Sequence, residues 1–327
     1  MATRELHSAP SALELYARAA APLLPGASRL PFVAGGGGEI PDLELTLSAV
    51  RADPAHLDAY SHVCGFASPR DTHPPTYPHV LAFGLHMALM TDGRFPFGAI
   101  GLVHVSNRIV QHRPIGLAEP LNLRVYATPL QAHPRGRTFS LVSQARVGDE
   151  LVWQDHSTML RRGGGTGDGA ARDEQAEPTP PHDTVWSLPG DLGRRYAAVS
   201  GDRNPIHMHD LTAKLFGFPR AIAHGMWTKA RCLAALEQRL PDAFSVEVRF
   251  RRPILLPAQV AFGVVEEGDD IRFGVRDAGT DTNHLDGRVQ PIDDASAPRT
   301  SPVADAAPVQ TTPASTSTPS DKESGSQ

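Results

Sequence analysis

Residues 196–226, YAAVSGDRNPIHMHDLTAKLFGFPRAIAHGM, concentrate side chains that move protons. Asp202 and His207 put a carboxylate and an imidazole on one short stretch. An imidazole with an unperturbed pKa of ~6.5 exchanges its proton near neutral pH. Asn204 precedes Pro205, which pushes its backbone toward the extended region and can turn its amide toward the same water as Asp202 and His207. Gly225 stands where an apolar run begins. There an unpaired N–H and the helix dipole can face an oxyanion, and the missing Cβ permits close approach. Adding water across a double bond conjugated to a thioester needs this set: a base, an acid and a partner for charge on the carbonyl oxygen. The plainer alternative is structural, because Asp-x-Asn-Pro also turns the chain and Asp210 to Gly217 reads as a short capped helix. Ala223-His224-Gly225-Met226, placed directly before an apolar helix, favours the chemical reading.

The elements that must carry these residues occur twice. RPIGLAEPLNLRV from Arg113 and RPILLPAQVAFGV from Arg252 align without a gap, setting Leu121, Leu123 and Val125 on Val260, Phe262 and Val264. Matching period-two alternation predicts strands that bury the same face. Val246, Val248 and Phe250 alternate with Glu247, Arg249 and Arg251 as a further strand. Ahead of the strands, each half has a helix: the apolar run Val80 to Met90, and Met226, Ala230, Leu233, Leu236 and Leu240 at helical spacing, ended by Pro241. AYSHVCGF, ending at Phe66, matches RYAAVSGD, ending at Asp202. The simplest architecture is α+β, a helix wrapped by an antiparallel sheet and made twice.

Composition bounds the rest. In 327 residues, 40% are hydrophobic and 20% charged, enough for a core. The balance of 31 basic against 36 acidic residues lacks the electrostatic footprint of a nucleic-acid binder. No apolar run approaches the ~20 residues of a membrane span, and the N-terminus has no secretory pattern, so the expectation is a cytoplasmic globular protein. Two cysteines cannot frame disulfides or a Cys-rich zinc site. The expected organisation is a repeat over 1–162, a flexible linker over 163–182 rich in Gly, Pro and charge, a second repeat over 183–292, and a disordered Ser/Thr/Pro/Ala tail over 293–327.

Tyr196, Ser200, Gly201, Asp202, Asn204, Pro205, Ile206 and His207 match a Y…SGDxNPxH signature, and Ala223 to Met226 match the start of the helix that follows it. In these two stretches the chain resembles the MaoC-like (R)-specific enoyl-CoA hydratases and dehydratases, which have the hotdog fold. The resemblance implies a double hotdog with one active site. Asp202 and His207 would be the dyad, Asn204 would hold the water, and the Gly225 amide would polarise the thioester carbonyl. Ser200 and Gly201 would border the substrate. The activity implied is reversible hydration of 2-enoyl-CoA to (3R)-3-hydroxyacyl-CoA, with the acyl-CoA thioester as partner and no cofactor or metal. A 3-hydroxyacyl-ACP dehydratase, a non-catalytic acyl-thioester binder and a thioesterase are the alternatives. Two fused copies already supply one hotdog pair, so monomer and homodimer both stay open. The first copy lacks the chemistry: Phe66 stands opposite Asp202, and Ser68 and Asp71 replace Asn204 and His207. Phe66 is therefore expected to line an acyl pocket. Arg249 and Arg251, sharing a polar strand face, and Arg252 are candidates for the phosphates of CoA, with a solvated sheet face as the alternative.

Other signals are discounted. His207-Met208-His209-Asp210 departs from the metallo-β-lactamase pattern, since Leu211 and Thr212 occupy the places of its Asp and His; His209 is expected at the surface. Gly35 to Gly38 misses G-x-G-x-x-G because Ile40 stands at its last glycine, and the run at 165–170 is followed by charged, Pro-rich sequence rather than a helix of a βαβ unit, so both read as loops. Ser11-Ala-Leu-Glu14 reads as a capping box opening a helix, and Cys232 as a core residue.

Overall fold

Period-two burial builds the strands: in Leu43–Val50, Leu43, Leu45 and Leu47 are buried while Glu44 and Thr46 point to the other face. The computed structural model describes residues 1–21, 38–163, 180 and 182–292. Its first half contains β1 (Ala2–Leu6), α1 (Ala12–Ala20), β2 (Leu43–Val50), α2 (Pro54–Cys64), α3 (Tyr77–Met90), β3 (Val103–Gln111), β4 (Leu121–Ala127), β5 (Gln131–His133), β6 (Gly136–Val147) and β7 (Glu150–Arg162). Its second half contains β8 (His182–Leu188), α4 (Leu192–Ser200), α5 (Pro205–Met208), α6 (Asp210–Leu215), α7 (Gly225–Ala235), β9 (Phe244–Phe250), β10 (Ala258–Glu267), β11 (Asp270–Asp277) and β12 (Asn283–Pro291).

The strands form one sheet in the order β1-β2-β4-β6-β7-β3-β9-β12-β11-β10-β8, with β5 on β6. About the β3–β9 seam this order is symmetrical: β2-β4-β6-β7-β3 on one side answers β8-β10-β11-β12-β9 on the other. The seam is an antiparallel ladder in which Ile109 faces Val246 and Ser106 faces Arg249. β4 and β10 thus occupy equivalent places, as their aligned sequences predict. Each half wraps a buried helix, α3 or α7. The matching stretches AYSHVCGF and RYAAVSGD end α2 and α4 in the same way, on left-handed glycines Gly65 (φ 82°) and Gly201 (φ 75°). Glycine takes that conformation without a Cβ penalty.

Several expectations need correction. Each half opens with a strand before its helices, because β2 and β8 supply the sheet positions outside β4 and β10. β8 escapes notice since only Trp186 and Leu188 of its described side chains are buried, and Val185 is exposed. His182, expected as the last linker residue, already pairs with Gly263. The rest of the linker (apart from Gly163 and Pro180), the tail from 293, and the glycine motifs except Gly38 lie outside the described residues. α1 starts after Ser11, but the Ser11 side chain makes no capping hydrogen bond and Glu14 pairs with Arg18 instead. Cys232 is fully buried, as a core residue should be, and His209 is exposed. Among the described residues, no helix is long and apolar enough to cross a membrane.

Candidate active site

The chemistry-bearing loop is shaped by backbone needs at each step. After Gly201 reverses α4, the Ser200 hydroxyl accepts the Asp202 N–H at 3.1 Å, and the Asp202 carboxylate accepts the Asn204 N–H at 3.1 Å. Asn204, with φ −52° and ψ 127°, caps α5, its Oδ1 lying 3.5 Å from the Ile206 N–H, and Pro205 begins the helix. His207 follows within α5. Gly193 in α4 is required here, because any Cβ at that position would collide with the His207 carbonyl.

Asp202 and His207 meet, and a third group joins them. His207 Nδ1 lies 2.8 Å from the Ile222 carbonyl, which can only accept, so Nδ1 carries the hydrogen and Nε2 keeps its lone pair. His224 stacks on His207 with ring centroids 3.7 Å apart. Its Nε2 donates to the Asp202 carbonyl at 2.9 Å and lies 3.7 Å from Asp202 Oδ2. Burial holds His207 below the ordinary histidine range and, with His207 alongside, holds His224 down to about 3. Enclosure opposes ionisation of Asp202, but His224, His207 and the Asn204 N–H outweigh it and keep the carboxyl below its usual range. At neutral pH the site therefore holds a carboxylate beside two neutral imidazoles, a set of bases. Asp202, His207 and His224 have donor atoms within 4.8 Å of one another, close enough for a metal ion by proximity alone. The two imidazoles are stacked with planes 24° apart, and His224 Nε2 is already committed to the Asp202 carbonyl.

Gly225 is the first residue of α7, so its N–H has no partner within the helix. Asp202, Asn204, His207, His224, Gly225 and Ser200 all line a cavity of about 310 Å³. Ser200 has its hydroxyl committed to the loop, and Gly201 is outside the lining, its α-carbon covered by Phe83. The opposite wall belongs to the first half: Phe83 and Met90 from α3, Leu141 from β6, and Met159 and Leu160 from β7.

Phe66 is not in this cavity. It is 5% exposed in the core, stacked on Tyr60 with Arg70 over its ring. The reason lies in the twofold arrangement, in which each loop faces the helix of the other half. The Gly201 loop meets α3, whereas the Gly65 loop meets α7, where Arg231 abuts Gly65 and Trp227 donates to the Val63 carbonyl at 2.9 Å. The far wall of the cavity comes from α3, not from the loop after Gly65. Arg249 is also outside the cavity, exposed on β9 near Glu247. Arg251 lies beyond the strand's end, paired with Asp286 at 2.7 Å, so the two do not share a face of β9. Arg251 and Arg252 line the cavity edge, joined there by Arg135 and Arg162.

Two contributors have no signal in the loop's own sequence. His224 was legible only as part of a helix start. Tyr16 comes from α1: its hydroxyl donates to the Gly201 carbonyl at 3.1 Å, accepts the Arg203 N–H at 2.5 Å, and lies 3.5 Å from Asp202 Oδ1. It ties the loop on both sides of Asp202.

Residues 175–287 match the MaoC-like domain. Across 285 residues, covering 86% of this chain and 99% of the relative, the sequence is 38% identical to 3-hydroxyacyl-thioester dehydratase X of Mycobacterium tuberculosis. The chain belongs to the MaoC-like dehydratases. The crystal structure of HtdX from the same organism superposes with a TM-score of 0.68 at 37% identity, covering 76% of this chain and 100% of that one. A second M. tuberculosis protein, described as having a double hotdog fold, matches at 16% identity with a TM-score of 0.50 over 78% of this chain and 98% of that one. This MaoC-like protein is thus a double hotdog, and its asymmetric pair of loops gives it one developed site among the described residues.

Proposed function

We propose that the protein is a hydro-lyase that interconverts (3R)-3-hydroxyacyl-CoA and 2-enoyl-CoA, with Asp202 and His207 as its catalytic pair. The observation that carries this reading is the meeting of an ionised Asp202 and a neutral His207, its Nε2 lone pair free, in a cavity walled on the far side by α3, β6 and β7 of the other half. Likeness to a 3-hydroxyacyl-thioester dehydratase supports the same reaction class.

In the dehydration direction, His207 Nε2 takes the proton from C2. The C2–H electron pair becomes the C2–C3 double bond as the C3–O bond breaks. The leaving hydroxide takes that proton from His207 and departs as water, restoring the neutral imidazole. Asp202 stabilises the transient imidazolium, as an opposite charge does in a partly enclosed site. The Gly225 N–H, at the positive end of α7, supports the negative charge that builds on the thioester oxygen. Asn204 holds the water. Arg252, exposed at the cavity edge, suits the phosphates of CoA. Nothing in this sequence of steps requires a metal or cofactor, so chelators should leave the rate unchanged.

The test is to mix purified protein with crotonyl-CoA and longer 2-enoyl-CoAs, follow loss of the conjugated ultraviolet band, and determine product stereochemistry. An (R)-3-hydroxyacyl product is expected. Absence of hydration with every chain length, or an (S) product, overturns the proposal.

A further inference from the structure

The wall of the cavity formed by α3 is not purely hydrocarbon. His79, Phe83, His86 and Met90 all line it, at the i, i+4, i+7 and i+11 spacing of one helix face. His86 Nε2 is satisfied by the Ser143 hydroxyl at 2.6 Å. His79 is held differently. Its Nδ1 lies 2.6 Å from Oδ2 of Asp155, a fully buried carboxylate. Asp155 Oδ1 accepts from the Asn107 side-chain amide, and Ser157 Oγ lies 3.2 and 3.4 Å from the two carboxylate oxygens. Asn107 Oδ1 in turn accepts from Lys229 Nζ at 2.5 Å, anchoring the chain of contacts across the β3–β9 seam. An ionised carboxylate only accepts, so the hydrogen between His79 and Asp155 sits on Nδ1, and Nε2 is the ring nitrogen left to meet a ligand.

His79 lines the cavity with its hydrogen bond to Asp155 made through Nδ1, and His104 Nε2, buried in the same lining, has no partner among the described residues. Against methylene groups each unmade hydrogen bond would cost ~1–3 kcal/mol. Asp155, itself held by Asn107 and Ser157, fixes His79 in place, which a merely apolar sleeve would not need. The position is also informative: Phe83, one turn from His79, packs on Gly201 beside the catalytic loop.

We infer that His79, oriented by Asp155, is a specificity-determining residue whose Nε2 shares a hydrogen bond with a hydroxyl on the acyl chain, so that the preferred thioester carries a second hydroxyl beyond the one at C3. This rests on the hydro-lyase reading above. Sites built around a substrate hydroxyl discriminate strongly against analogues that lack it.

The experiment compares 2-enoyl-CoAs of equal length with and without a hydroxyl at C5, C6 or C7, using the full chain. The wild-type protein should favour at least one hydroxylated substrate tenfold or more in kcat/KM. In His79→Leu that ratio should fall to near one. His79→Asn, which keeps a donor for Asp155 but has too short an acceptor arm, should lose the preference as well and stands in should the leucine variant misfold. Wild-type protein that hydrates plain enoyl-CoAs with no preference overturns this inference while leaving the hydro-lyase reading intact. So does a preference that persists in either variant. Failure to hydrate any of them removes the hydro-lyase reading, and this inference falls with it.

Discussion

The Gly65 and Gly201 loops leave equivalent helices on equivalent left-handed glycines, yet one continues into Phe66 and the other into Asp202. What differs is how each space is filled. Beside Gly201 the facing helix presents Phe83 and leaves a cavity; beside Gly65 it presents Arg231 and Trp227, and Arg70 and Glu237 close the loop with an ion pair at 2.9 Å. One copy sets the residue after its glycine in the lining of a cavity and the other buries it in the core. The Asp202 cavity nevertheless needs both copies, because its far wall includes the helix of the other half.

The comparison can be broken most severely at Asp202 and His207. Either alanine substitution should lower turnover about a thousandfold, within the range for lost acid–base groups, with the circular dichroism spectrum unchanged. The surviving rate of the wild type should follow the same logic in acid. Because burial holds His207 below the ordinary histidine pKa, kcat/KM should be flat near neutrality and decline only as pH drops below ~6.5 toward that lowered value, where the base becomes protonated. A rate–pH profile that declines above neutrality would contradict this.

Phe66→Asp asks whether the inert loop can be reconverted. It should not gain activity, because Phe66 is packed on Tyr60 in the core, apart from the groove that Gly65, Trp227 and Arg231 line. Burying an unpaired carboxylate should instead cost ~3 kcal/mol, read as a lower urea midpoint. Tyr16→Phe tests the clamp on the Gly201 loop, whose Arg203 N–H it takes as Glu237 takes the corresponding Ala67 N–H at 2.9 Å on the Gly65 loop. Losing a hydrogen bond worth ~1.4 kcal/mol should reduce kcat about tenfold with KM nearly unchanged, while Tyr16→Leu should also lower stability. The mildest pair is Gly65→Ala and Gly201→Ala. Each should destabilise by ~1 kcal/mol through its positive φ, but only Gly201→Ala should also slow turnover.

Local chemistry was legible in the chain; long-range chemistry was not. Asp202, Asn204 and His207 lie within one short segment, so spacing alone placed them together, and the aligned strands around Leu123 and Phe262 showed the duplication. Tyr16 reaches the loop across 186 residues and Asp155 reaches His79 across 76, separations for which sequence carries no period. Phe66 was misplaced for a related reason. Its pairing with Asp202 in the alignment is correct, but alignment does not say that the twofold carries the two positions to opposite cavities. Arg249 and Arg251 alternate properly along a strand, yet that strand ends at Phe250, and a period cannot report where a ladder stops.

The β3–β9 seam has a consequence for how such a molecule can change. In a pair of identical subunits, any alteration to the wall-forming helix would recur beside both reaction centres, as would any alteration to the loop. Covalent joining separates the two inheritances: α3 is free to adapt to new acyl groups while α7 keeps its duty of presenting Gly225, and neither compromise is imposed on the other.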